Sequence, residues 1–175
     1  RSRVQGDPVA GQLNDYAALV ETLFAERDSQ ASRFYDAALS RVPDGYAPAS
    51  ILDRVKELWE MVLPKRRLVI DHENNAISAS GRENSTTYPI SVMSDGERVA
   101  LYLIAHTLLA APDRILIVDE PELHLHETLQ VELWDALETA RKDLTFVYIT
   151  HDLDFAASRT GAPKIVMREY TQPPA

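Results

Sequence analysis

The sequence predicts an α/β fold, with a mostly parallel sheet core behind an N-terminal helical region. Three observations predict it. Apolar residues recur at helical spacing early in the chain. From Met93 onward, short apolar runs alternate with helical segments. Two of those runs, Ile115-Leu116-Ile117-Val118 and Phe146-Val147-Tyr148-Ile149, stop at polar residues that suit the carboxyl edge of a parallel sheet.

Taken in order, a helix is expected from Asn14 to about Leu39, with Leu19, Val20, Leu23, Phe24, Phe34 and Tyr35 on its apolar stripe and Asn14 or Asp15 as cap. Val42 to Ser50 is punctuated by Pro43, Asp44-Gly45 and Pro48. A second helix runs from Ser50 as N-cap to about Val62, buries Ile51, Val55, Leu58, Trp59 and Val62, and is closed by Pro64. Two short strands, Leu68–Asp71 and Ala76–Ala79, meet at Asn74-Asn75, and Gly81 to Pro89 reads as a polar loop. The alternating region then gives a helix near Gly96–Ala110, a strand at Ile115–Val118, a helix near Glu127–Arg141, a strand at Thr145–Ile149, a short helix near Leu153–Ser158 and a strand at Lys164–Met167. The Ile115–Val118 run is continuous enough to be buried on both faces.

The 175 residues suffice for one domain with a real core, and 45% apolar with 26% charged residues excludes disordered and fibrous classes. No apolar run approaches the ~18 residues that span a bilayer, so no membrane partner is expected. A net charge of −9 argues against a surface that binds nucleic acid throughout, and Lys65-Arg66-Arg67 reads as a solvated turn before a strand. The lack of cysteine excludes disulfides and thiolate metal sites and fits a reducing cytoplasm. A chain that opens on Arg1, without an initiator Met or a signal-like segment, is expected to be a piece of a longer protein.

The chemistry gathers at three places. Asp119-Glu120-Pro121 ends an apolar strand, where Asp119 is suited to hold Mg²⁺ through its water shell and Glu120 to polarise an attacking water. His151 ends the next strand and is suited to donate a hydrogen bond to a phosphate. Ser94-Asp95-Gly96-Glu97-Arg98 opens a helix. Its hydroxyl and free N–H groups suit an anion, although Ser94 with Glu97 three residues later equally makes a capping box.

In this order the three segments resemble the C-terminal half of the nucleotide-binding domain of ABC-type ATPases. Met93–Arg98 resembles the signature loop, Ile115–Glu120 resembles Walker B with its catalytic glutamate, and His151 resembles the switch histidine. The stretch "DEPELHLH" is similar to the form seen in ABC-like ATPases of the overcoming-lysogenization-defect and SMC/repair branches. The resemblance implies a P-loop NTPase fold and ATP with Mg²⁺ as cofactors. It implies Glu120 and His151 as catalytic residues, Asp119 as the metal residue and Ser94 to Arg98 as nucleotide contacts. It also implies a second copy of the domain, closing ATP into a sandwich that drives a nucleic-acid or fused-effector output. Asp95 stands for the first signature glycine, Glu97 for its glutamine, and His126 where transporters carry an aspartate.

A P-loop needs G-x-x-x-x-G-K-[ST]. Gly6 to Gly11 has the glycine spacing, but Gln12-Leu13 follow where Lys and Ser/Thr are required. The Walker A lobe is therefore expected outside these residues. Residues 1–63 then form a helical arm or lid, 64–170 the C-terminal α/β part, and 171–175 a tail. The alternative chemistry is a metal-dependent hydrolase using His124, His126, Asp119 and His151, with Glu120 and Asp152 nearby. A third reading is a non-catalytic dimerisation module.

Overall fold

The computed structural model describes residues 8–39, 49–81, 86–123 and 125–167. It is an α/β structure with two sheets and a shared helical core. The first helix, α1, spans Pro8–Leu39. It starts earlier than expected, so Asn14 and Asp15 lie inside the helix and do not cap it. The ring of Pro8 fixes φ near the helical value and suits a first turn. Only part of the predicted stripe is buried. Leu19, Leu23 and Phe24 join the core, while Phe34 and Tyr35 are exposed because α1 outruns the body it packs on.

Helix α2, Ile51–Val62, is the hub: it packs against α1, against the later helices α3, Asp95–Leu109, and α4, Glu127–Ala140, and against the first strand. Ser50 caps it as predicted. Its Oγ accepts from Asp53 N at 3.2 Å, and Asp53 Oδ2 accepts from Ser50 N at 3.0 Å. A further free amide at this end, Ile51 N, donates to Gln30 Oε1 of α1 at 2.9 Å, which fixes one helix against the other. Ile51, Val55, Leu58, Trp59 and Val62 are buried as the spacing predicts, with Leu52 added.

Strands β1, Arg66–Asp71, and β2, Ala76–Gly81, form an antiparallel hairpin. Its turn is held by Asp71, whose carboxylate accepts from the backbone of Glu73 and Asn74, and Asn75 takes the positive φ of 50° that the turn requires. Arg66 and Arg67 begin β1 and are not part of the preceding turn. The expected polar loop contains a third strand, β3, Thr87–Pro89, paired with β2. It is short and includes a proline, which an edge strand tolerates because its N–H side needs no partner. Composition therefore gave no strand signal there.

Helix α3, Asp95–Leu109, leads to β4, Ile115–Asp119; α4, Glu127–Ala140, leads to β5, Thr145–Ile149; α5 is Leu153–Ser158. Strands β4 and β5 are parallel and in register from Ile115↔Thr145 to Asp119↔Ile149. One face packs inward through Val118, Phe146 and Tyr148. The other is not buried as predicted: Ile115, Ile117, Val147 and Ile149 are exposed, since no element among the described residues covers them. The predicted strand at Lys164–Met167 is likewise not formed. No strand edge among the described residues pairs with it, and Ile165, Val166 and Met167 stand exposed.

Arg141, just past α4, is buried and donates to the carbonyls of Thr107 (2.5 Å), Leu108 (3.2 Å) and Ala110 (2.9 Å). These are the orphan acceptors at the C-terminus of α3, where a cation also complements the helix dipole. Asp143 pairs with the same guanidinium at 2.7 Å. Arg141→Ala is expected to cost on the order of 3 kcal/mol in chemical denaturation, because it strands buried carbonyls and a carboxylate. Arg141→Lys should recover only part of this, having no planar fork.

Candidate active site

The predicted chemistry converges at the carboxyl end of the β4–β5 pair. Because the strands are parallel and in register, the residues after Asp119 and after Ile149 leave the sheet side by side. Glu120 N donates to Ile149 O at 2.8 Å, which extends the pairing one step beyond the strand. Glu120 then turns with φ 52°, a left-handed conformation that a non-glycine residue adopts at a cost of about 1–3 kcal/mol. The surroundings hold it there. Leu123 N donates to Glu120 O at 3.0 Å, and the buried indole of Trp134 donates to Pro121 O at 3.1 Å. The strain directs the Glu120 side chain into solvent, half-exposed, toward His151.

His151 Nδ1 lies 3.9 Å from Glu120 Oε1 and 3.4 Å from Glu122 Oε1. Glu122 is the residue beside His151 that the sequence reading missed. Its position two residues after Glu120, across a buried proline, was the available signal, but only the fold brings it back beside His151. Its Oε2 accepts from Thr150 Oγ1 at 2.9 Å, and Thr150 Oγ1 accepts from Asp152 N at 2.9 Å. Asp152 is occupied as the cap of α5, with its Oδ1 accepting from Asp154 N and Phe155 N.

Asp119 is exposed at the strand end, and no hydrogen bond or ion pair engages its carboxylate among the described residues. A single free carboxylate fits Mg²⁺, which keeps most of its waters. Among the described residues no group of three or more His, Asp or Glu is placed to hold a metal. His126 is the exposed residue before α4, and His124 lies outside the described residues.

The second group is at the start of α3. Ser94 caps the helix: its Oγ accepts from Glu97 N at 3.3 Å and donates to Glu97 Oε2 at 3.0 Å. Glu97 is buried and serves as the anchor of this turn, accepting also from Ser94 N (2.8 Å), Tyr88 Oη (2.8 Å) and Arg66 Nε (2.5 Å). Burial alone would push its pKa up. The bonds from the Ser94 backbone, Arg66, Tyr88 and the Ser94 hydroxyl outweigh that and hold it below the usual carboxylate range. Asp95 pairs with Arg98 across the first turn, and Ser94 and Asp95 remain exposed. Among the described residues no hydrogen bond or ion pair joins this group to Glu120 and His151. The structure thus brings Glu120, Glu122 and His151 together, and ties the Ser94 to Arg98 turn of α3 to the antiparallel sheet through Glu97.

Two outcomes follow from the α3 anchor. Ser94→Ala should lower stability by ~1 kcal/mol in thermal melts, as loss of an N-cap does. The stabilisation from Glu97 is present above the unfolded glutamate pKa of about 4.3 and lost as pH falls through its lower folded value. The melting temperature should therefore drop on acidification below about pH 4.3, and Glu97→Gln should flatten that drop while lowering stability at neutral pH.

A search among curated proteins found no match. Several solved structures are similar. One, from work on ATP-driven dimerization and DNA-stimulated activation of SMC ATPases, is 22% identical with a TM-score of 0.51, covering 69% of this chain and 79% of that one. A second, an Smc head bound to the C-winged helix domain of ScpA, is 21% identical with a TM-score of 0.48, covering 62% of this chain and 36% of that one. A third, an Smc head domain with an extended coiled coil bound to the C-terminal domain of ScpA derived from Pyrococcus furiosus, is 21% identical with a TM-score of 0.47, covering 62% and 29%. The chain thus spans about a third of the length of those last two. The first likeness shows a shared fold and nothing beyond the fold. Residues 7–157 match the family model described as "AAA domain, putative AbiEii toxin, Type IV TA system". With most of its length matched, the chain belongs to this family of AAA ATPase domains.

Proposed function

We propose that this chain supplies the signature, Walker B and switch-histidine elements of an ATP-hydrolysing site that closes between two copies of the domain. The observation that carries the reading is the convergence of Glu120 and His151 at the carboxyl edge of a parallel pair, directly after Asp119. That edge is where ligands of open α/β sheets bind. Asp119 would hold Mg²⁺, which when bound would supply neutralisation of the phosphate charge. Glu120, strained outward and half-exposed, takes a proton from the attacking water. His151 positions that water and contacts the γ-phosphate. Ser94 to Arg98, set apart from this edge, contact the nucleotide held by the partner copy.

The 175 residues contain no G-x-x-x-x-G-K-[ST]. The uncovered apolar face of Ile115, Ile117, Val147 and Ile149, with Ile165, Val166 and Met167 exposed beyond it, supports a Walker A lobe packing there from outside these residues. Exposed Phe34 and Tyr35 support residues 1–63 as an arm that outruns the body. None of the described helices is long and apolar enough to cross a membrane.

The chain alone is expected to bind ATP weakly and not to hydrolyse it. Magnesium-dependent turnover by the purified 175 residues, abolished by Glu120→Gln, would contradict this. In an ATPase completed with a Walker A lobe, Glu120→Gln should cut kcat by roughly 10²-fold while sparing ATP affinity and should trap the ATP-bound dimer. Asp119→Asn should weaken nucleotide binding itself. Equal loss of binding in both variants would remove Glu120 as the base.

A further inference from the structure

Glu122 has no role in the mechanism above, yet it is the more confined of the two glutamates at this edge. Its side chain is 13% exposed, against 48% for Glu120. One oxygen is fixed by the Thr150 hydroxyl, which is itself fixed by the Asp152 amide. The carboxylate is thereby tied to the backbone on both sides of His151. The other oxygen, Oε1, is buried and has no hydrogen-bond partner among the described residues. A buried acceptor without a donor is costly. The His151 ring stands beside it, with Nδ1 at 3.4 Å.

That ring is 81% exposed, so packing does not set its orientation. A neutral imidazole carries its proton on one nitrogen only, and the nitrogen that faces a fixed acceptor keeps it. Glu120 also faces Nδ1, but at 3.9 Å and from a more exposed side chain.

We propose that Glu122 is a positioning residue that holds the His151 proton on Nδ1 and turns Nε2 outward, toward the side of the sheet edge where phosphate binds. The inference rests on the reading of His151 as the switch histidine. In this tautomer Nε2 accepts a hydrogen bond from water, and after protonation it donates to a phosphate oxygen. Glu122 presents the same nitrogen in both states and leaves Glu120 free to act on the water.

Long-range ¹H–¹⁵N NMR spectra of the 175-residue chain, at a pH where His151 is neutral, report its tautomer. The signals are assigned by their loss in His151→Ala. The wild type is expected to show mainly the Nδ1–H form. Glu122→Ala should shift it to the Nε2–H form that free histidine favours, and so should Glu122→Gln, whose carbonyl oxygen accepts from the Thr150 hydroxyl and whose amide NH2 then faces Nδ1. An Nε2–H wild type, or an unchanged tautomer in folded Glu122→Ala, overturns the proposal. Should Glu122→Ala fail to fold, the wild-type and Glu122→Gln spectra decide alone: Nδ1–H in the wild type that is lost in Glu122→Gln upholds it, and Nε2–H in the wild type or Nδ1–H in both overturns it. In the completed ATPase, Glu122→Ala should lower kcat about 10-fold or more with KM for ATP unchanged, and should add nothing to His151→Ala. A Glu122-dependent tautomer in an ATPase indifferent to His151→Ala upholds the pairing and overturns the switch-histidine reading, so the two failures are distinct.

Discussion

The in-register parallel pairing of β4 with β5 is the constraint on which the site depends. Asp119 opposite Ile149 sends both chains off the sheet at the same level, and the bond from Glu120 N to Ile149 O carries the pairing past the strand end. A shift of one residue in this register would turn every side chain to the other face and separate Glu120 from His151. The left-handed turn at Glu120 is sustained by the same pairing and by the Trp134 indole, which anchors the next carbonyl. Strain at one residue is therefore offset by a buried aromatic on a neighbouring helix, which itself packs edge-on against Tyr148 of β5.

The α3 helix is fixed at both ends by buried charge. At its start Glu97 gathers Ser94, Tyr88 and Arg66, joining the helix to the antiparallel sheet. At its end Arg141 collects three carbonyls, joining it to the segment after α4. The turn that carries the exposed Ser94 and Asp95 thus sits on a rigid base. Such a base suits a surface that has to meet a second molecule with little loss of freedom.

The two sheets differ in what they leave uncovered. The antiparallel sheet packs its inner residues Leu68, Ile77 and Ala79 into the common core. The parallel pair leaves a row of β-branched aliphatic residues in solvent, together with the unpaired Ile165-Val166-Met167. Parallel strands are ordinarily covered on both faces, and apolar area left in water forfeits its burial energy. The open face and the site edge belong to the same two strands, so whatever covers that face also bears on the geometry of Asp119, Glu120 and His151.

By itself the sequence determined most elements and the order of the chemical groups. Local signals were strong at Ser50 and Ser94, where a capping residue precedes an apolar run, and at Ile115 and Phe146, where short apolar runs stop at polar residues. They failed where the deciding partner was distant or missing. Strand β3 exists because β2 offers an edge; the Lys164–Met167 run forms no strand because none of the described residues offers it an edge; the outer face of β4 is open because its cover is not among the described residues. Asp119, Glu120 and His151 were legible as strand-end residues from their position alone. Glu122 was not. Its burial, its bond to Thr150 and its approach to His151 join residues 28 or 29 positions apart, and only tertiary packing creates contacts of that span.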